Sequence, residues 1–170
     1  ALGMTIAVSL ISLMLGTIFG VLLGVVKSLS PLRSVQRGLI DAYVWVVRGT
    51  PVVVQIYAFF FFLSKIGIKL DVFWIGVISL TFNSVGYQID IVRAAIESID
   101  KGQREAARAV GMTEAMAMRL IVLPQAARRV IPPLTNELAN LVKASSALSV
   151  VALFELTKAS NAIIGGTFKF

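Results

Sequence analysis

The chain has 170 residues, of which 57% are hydrophobic and 15% charged, with a mean hydropathy of +0.86; soluble domains carry roughly 45–50% apolar residues, so this composition belongs in a membrane. Its net charge of +7 is therefore no pointer to nucleic acid, because in a membrane chain the placement of Lys and Arg between loops is what informs. Cysteine and histidine are absent, which excludes disulfides, thiol nucleophiles and the usual zinc and haem ligand sets, and no metal or cofactor is expected.

Residues 1–26 contain no charged side chain. At about 1.5 Å per residue such a helix covers a hydrocarbon core of roughly 30 Å, and a first span is predicted over 4–26. A signal peptide would have a basic leader and a shorter apolar run, and would not be followed by further spans. Gly16, Gly20 and Gly24 recur every four residues, which either lets a neighbouring helix approach closely or reflects the abundance of glycine in membrane helices. A second span is predicted over 42–63. It is entered through Arg48-Gly49-Thr50-Pro51, where Pro51 disfavours helical backbone at Thr50 and leaves either a path-lining break or a plain kink. Third and fourth spans are predicted over 72–92 and 130–148. The chain opens in apolar sequence without an initiator Met and reads as a fragment of a single membrane domain, 1–170.

Loop charges set the expected orientation. Lys27, Arg33, Arg37 and Arg48 lie between the first two stretches, and Arg93, Lys101, Arg104, Arg108, Arg119, Arg128 and Arg129 between the last two. The loop at 64–71 holds Lys65 and Lys69 beside Asp71. The excess places 27–48 and 93–129 in the cytoplasm and the amino terminus outside.

Within 97–123, Ile96, Ile99, Ala106, Ala107 and Val110 alternate with Lys101, Arg104, Glu105 and Arg108, the pattern of an amphipathic helix. Gly111 suits a left-handed cap and Thr113 an N-cap, so helix, glycine turn, helix is predicted. Such an element fits a groove on a partner protein. A helix lying at the headgroups is the plain alternative. A DNA-reading pair of helices is disfavoured, because the loop is pinned between spans and its second helix, rich in methionine, has few side chains able to read bases. No Gly, four residues, Gly-Lys-Ser/Thr run is present, so nothing in the sequence binds ATP through a phosphate loop.

Residues 105–124 read Glu105-Ala106-Ala107, three residues, Gly111, nine residues, Ile121, one residue, Leu123-Pro124. This resembles the cytoplasmic loop by which permease subunits of ABC importers engage their ATPases. Arg48-Gly49-Thr50-Pro51, the stretch from Tyr87 to Arg93, Leu123-Pro124-Gln125-Ala126 and Pro132-Pro133-Leu134-Thr135-Asn136 extend the likeness to permeases for polar and basic amino acids. The resemblance implies an all-α, multi-span fold of the type I importer kind, normally with five spans, so that a fifth is expected beyond Phe170. It also implies a bacterial inner-membrane location, a second permease subunit, two ATP-binding cassette subunits and an extracytoplasmic solute-binding protein. Carried over residue by residue, ATPase docking falls to Arg104, Glu105, Ala106, Ala107, Gly111, Ile121, Leu123 and Pro124. The chain departs from the pattern at Asp90, where relatives have Glu, and at Ala144 after Lys143.

Polar side chains inside spans are costly and mark function or helix pairing. Asn83, Ser84 and Tyr87 form one such stripe, and Asn136, Asn140, Lys143 and Ala147 a second; each either faces the path or joins helices. Glu155, in apolar surroundings, is expected to meet either a transported amine or Lys143. The expected function is the membrane subunit of an ATP-driven importer for a polar amino acid, itself performing no bond chemistry. Alternatives are a permease for methionine or an opine, an ion-coupled transporter using Asp90, Glu137 and Glu155, and a membrane scaffold.

Overall fold

A computed structural model describes residues 1–28, 34–151, 153 and 156–167. Among these the structure is helical, in the order α1 (Leu2–Ser28), α2 (Ser34–Gly49), α3 (Val52–Lys65), α4 (Val72–Glu97), α5 (Lys101–Ala109), α6 (Glu114–Ala117), a π turn (Met118–Val122), α7 (Leu123–Ser145), a 3-10 segment (Ser146–Val151) and α8 (Leu156–Thr167). By length and apolar composition α1 and α4 each suffice to cross a bilayer, and counting two bent helix pairs as spans brings the number to at most four.

The middle of the molecule is the seam between α1 and α4. A Cβ on Gly16 would meet Gln88 and Ser84, one on Gly20 would lie 2.5 Å from the Gln88 Cβ, and one on Gly24 would lie 2.8 Å from the Val92 Cβ. The glycine stripe therefore serves close helix approach, which in lipid supplies the van der Waals contact that burial from water cannot. Its register also fixes direction: Ser12 donates to the Val77 carbonyl at 3.3 Å, and contacts advance together along both helices. Because α1 and α4 run parallel, their carboxyl ends at Ser28 and Glu97 lie toward one side of the bundle. α7 returns antiparallel to α4, with Val130 in one apolar cluster with Val92 and Ala95, Glu137 beside Ser84, and Leu141 packed with Leu80.

The predicted second span is not one helix. α2 and α3 meet at 107°, because Pro51 sits in extended backbone (φ −58°, ψ 138°) and cannot continue the hydrogen-bond ladder. Gln55 holds the break: its Nε2 donates to the Val47 carbonyl at 2.8 Å and to the Thr50 carbonyl and hydroxyl at 3.1 and 2.8 Å. Carbonyls freed by the lost helix turn are thus satisfied inside the protein, as a bilayer demands. The expected fourth span, 130–148, falls within α7 and the 3-10 segment. α7 starts earlier and, with Pro132 and Pro133 in its interior, is less apolar than α1 or α4.

Candidate functional site

Asn83 and Tyr87 of α4, Thr50 and Pro51 at the break, and Glu137, Asn140 and Ala144 of α7 enclose a cavity of ≈ 500 Å³. It adjoins a second of ≈ 570 Å³ that adds Asp90, Asn136 and Arg129; Arg48, Tyr87, Glu137 and Asn140 line both. Ser84 is the thirteenth residue of the 26-residue α4, so Glu137, to which it donates at 2.8 Å, stands at the helix's mid-depth. Gln88 donates in turn to the Ser84 hydroxyl at 2.9 Å. The carboxyl of Glu137 is thereby aimed from a residue only 5% exposed, and no protein cation pairs with it among the described residues.

Arg48 lines both cavities, yet its guanidinium is committed elsewhere. It bonds Asp90 and sits over Tyr87, 5.4 Å from the ring centroid. Asp90 also faces Lys27 at 3.6 Å and Arg93 at 3.7 Å, while Lys27 reaches Asp41 at 2.7 Å. This joins α1, α2 and α4 by ion pairs and saturates Asp90, which removes it as an ion-coupling site.

Of the residues expected on the path, Asn83, Tyr87, Asn136 and Asn140 line the cavities. Ser84 does not; it faces inward and positions Glu137. Lys143 is exposed and off both linings, because the cavity face of α7 runs Asn136, Glu137, Asn140, Ala144 at helical spacing and Lys143 falls beside it. Glu155, and with it the expected pairing with Lys143, lies outside the described residues. Glu137 was weighed only as an ion-coupling site, Arg48 and Thr50 only as part of the break before Pro51, and Gln55 was missed. Their signal was present in the cost of polar side chains within apolar helices.

The second candidate region is built as predicted. Asp100 caps α5 by accepting from the Gly102 amide at 2.7 Å. At its end Gly111 has φ +83°, its amide bonds the Arg108 carbonyl and the Met112 amide bonds the Ala107 carbonyl, which is the Schellman closure that a left-handed glycine permits. Thr113 caps the next helix by accepting from the Met116 amide at 3.3 Å. That helix does not end before the fourth span: α6, the π turn and α7 are one continuous run. Arg104 pairs with Glu114 across the turn at 3.8 Å, and Gln125 bridges to Gln103 at 3.4 Å. Ala107 is buried, Ile121 and Leu123 are half-buried, and Glu105, Ala106, Gly111 and Pro124 are exposed. Val110 (75% exposed), Met116 and Leu120 add apolar surface to this element. The signature thus divides into residues that hold the turn together and residues that face outward.

A multi-span helical subunit with a polar cavity at mid-depth and a rigid, partly apolar element at one membrane face is the architecture of a transport permease. Residues 3–165 match the family of binding-protein-dependent transport system inner membrane components, and the chain belongs to that family. Among its relatives is the arginine transport system permease protein ArtQ of Bacillus subtilis, 34% identical over 168 residues that cover 97% of this chain and 77% of ArtQ. Another is the putative glutamine transport system permease protein GlnP of Rickettsia bellii, 37% identical over 98% of this chain and 76% of the relative. The fold superposes with a TM-score of 0.91 and 34% identity on a crystal structure of an amino acid ABC transporter with histidines, covering 99% of this chain and 78% of that one. An inward-facing MetNI methionine ABC transporter, at 22% identity and TM-score 0.78, covers 94% of this chain and 76% of its own, and shares the fold. This chain is accordingly a membrane subunit of an ABC importer that works with ATPase and other ABC components, and the ion-coupled and scaffold readings fall away.

Proposed function

We propose that this permease passes a cationic or polar α-amino acid through the cavity at Glu137, and that it acts as one of a pair of permease subunits with two ATPases and an extracytoplasmic binding protein. One observation carries the substrate reading: a buried carboxylate at mid-depth faces an open polar cavity with no protein cation to compensate it. An unpaired ion there costs several kcal/mol, and a transported ammonium or guanidinium supplies the missing charge. Asn83 and Asn140 add amide donors and acceptors on the same wall. The relatives named for arginine and glutamine support an amine-bearing solute. Docking to the ATPases is assigned to the element from Arg104 to Pro124, with Glu105, Ala106, Val110 and Leu120 outermost.

In proteoliposomes holding the assembled transporter and binding protein, uptake should require ATP and survive ionophores. Glu137→Gln keeps the acceptor for Ser84 and removes the charge. It should cut uptake of a basic amino acid roughly 10–100-fold, the range of a charge-assisted hydrogen bond, with assembly intact. Undiminished uptake in this variant would remove Glu137 from the substrate path.

Orientation is proposed with the amino terminus outside. Single cysteines at Arg37 and Lys101 should be shielded from an impermeant thiol reagent added to intact cells, and one at Lys65 should react; the reverse pattern inverts the topology.

A further inference from the structure

The two polar cavities lie in series along α4. Asn83 and Tyr87 line the first, and Tyr87, Asp90, Ala94 and Ser98 the second, which therefore runs from mid-depth to the end of the helix. On the antiparallel α7 the order is reversed, as it must be, with Ala144 on the first cavity and Arg129 on the second. A solute that leaves Glu137 toward the end of α4 has to pass the Arg48 guanidinium, which stands where the two spaces meet.

Arg48 is held there as a guanidinium ligand would be. It donates to Oδ2 of Asp90, and its central carbon stands 5.4 Å from the Tyr87 ring centroid; a carboxylate and an aromatic face are the partners that suit a planar guanidinium. The other carboxylate oxygen, Oδ1, faces Lys27 at 3.6 Å and Arg93 at 3.7 Å. These contacts hold the Asp90 carboxylate in place independently of Arg48. Side-chain exposure is 22% for Asp90 and 49% for Arg48, so the carboxylate is the fixed partner and the guanidinium the one with room to leave. Ion pairs exposed to this degree are weak, and exchange of one cation for an equivalent one costs little.

We propose that Asp90 and Tyr87 form a second substrate station, specific for a cationic side chain, which Arg48 occupies while the path is empty. The proposal rests on the reading that substrate passes through the cavity at Glu137. A guanidinium or ammonium arriving from that cavity takes over Asp90 Oδ2 and the Tyr87 face, Arg48 swings aside, and the way into the second cavity opens. Asp90 keeps a full set of cations throughout the exchange. A neutral side chain has nothing to offer Asp90 in place of Arg48 and leaves the constriction shut. The substrate class thereby narrows to basic α-amino acids, with Arg48 as the residue that sets the specificity.

Equilibrium binding of L-arginine, and of L-citrulline in which an uncharged ureido group replaces the guanidinium, to the assembled permease and ATPase complex tests this. Arg48→Gln removes the internal competitor and should tighten arginine binding about fivefold, the upper limit for an exposed ion pair, with citrulline unchanged. Adding Asp90→Asn should cancel that gain; the double variant should still fold, because Lys27 retains Asp41 and Arg93 retains Glu97. In proteoliposomes with the binding protein, Arg48→Gln should raise citrulline uptake relative to arginine uptake by about the same factor. Equal changes for the two ligands, or no change for either, overturn the proposal and leave Arg48 a structural cation. Glu137→Gln separates this station from the reading beneath it. Arginine binding lost in Glu137→Gln but unmoved by Arg48→Gln would strike the station and keep the cavity carboxylate. Binding unmoved by Glu137→Gln but tightened for arginine alone by Arg48→Gln would keep the station and strike Glu137.

Discussion

On the side of α4 that meets α1, one added methyl at Gly20 would stand 2.5 Å from a side-chain carbon, whereas Asn83 and Tyr87, on the opposite side of the same helix, border ≈ 500 Å³ of open space. Parallel helices in glycine contact have no slack to slide, so α1 and α4 form one rigid unit. Across the cavity, α7 meets α4 through Glu137 and Ser84, and α3 reaches it through Gln55 and Asn83 at 3.2 Å. Polar contacts around a void can be exchanged for others. The difference locates motion: a change of access is cheapest on the cavity side. α7 is the element there that runs without a break into α6 and, through Gly111, to α5. The two sides are nevertheless linked, since the space left by Gly16 admits Gln88, which positions Ser84, which positions Glu137.

The largest expected effect comes from breaking the seam. Gly20→Ala places a carbon against the Gln88 Cβ and backbone, and overpacking of this kind costs about 1–3 kcal/mol. Gly20→Leu adds more volume still and should abolish most of the folded protein, which the yield and thermal midpoint of the solubilised transporter would register. Native-like yield of Gly20→Leu would mean that α1 and α4 can separate, and the contrast between the two sides of α4 would fail.

A middle effect is expected at Gly111. Nothing lies within 4 Å of a Cβ built there, so the cost of a side chain is conformational and not steric: φ +83° is strained for L-residues by about 1–2 kcal/mol. Gly111→Asp should therefore misalign the turn and weaken coupling roughly 5–30-fold, with the cavity intact. Gly111→Asn should be milder than other substitutions because asparagine visits the left-handed region. Uptake and retention of ATPase subunits measure this, and normal coupling in Gly111→Asp would detach the turn from transmission.

What the sequence made legible follows from the kind of signal each region emits. The first and third spans are long uncharged or nearly uncharged runs, and Gly111 with Thr113 is local chemistry that needs no tertiary knowledge. Both were readable. The break at Pro51 was seen, but its 107° angle was not, because the angle is decided by what Gln55 and Val47 find to pack and bond with, not by proline alone. On α7 the polar stripe was placed one position off. Asn136, Asn140 and Lys143 fit helical spacing, but so do Asn136, Glu137, Asn140 and Ala144, and periodicity cannot choose between faces that overlap this closely. Only the position of Ser84 across the gap decides it.

That choice of face yields the smallest expected effect and a sharp test of the cavity. Lys143 is exposed, its ammonium has no partner among the described residues, and it lies on neither cavity lining. Substitutions at such positions usually stay within about ±0.5 kcal/mol. Lys143→Met should then leave yield, ATPase association and uptake near native, while Glu137→Gln, six residues earlier on the same helix, abolishes most uptake. If the two variants instead lose uptake together, the cavity face of α7 is rotated toward Lys143, and the uncompensated carboxylate at Glu137 would have found its cation within the protein.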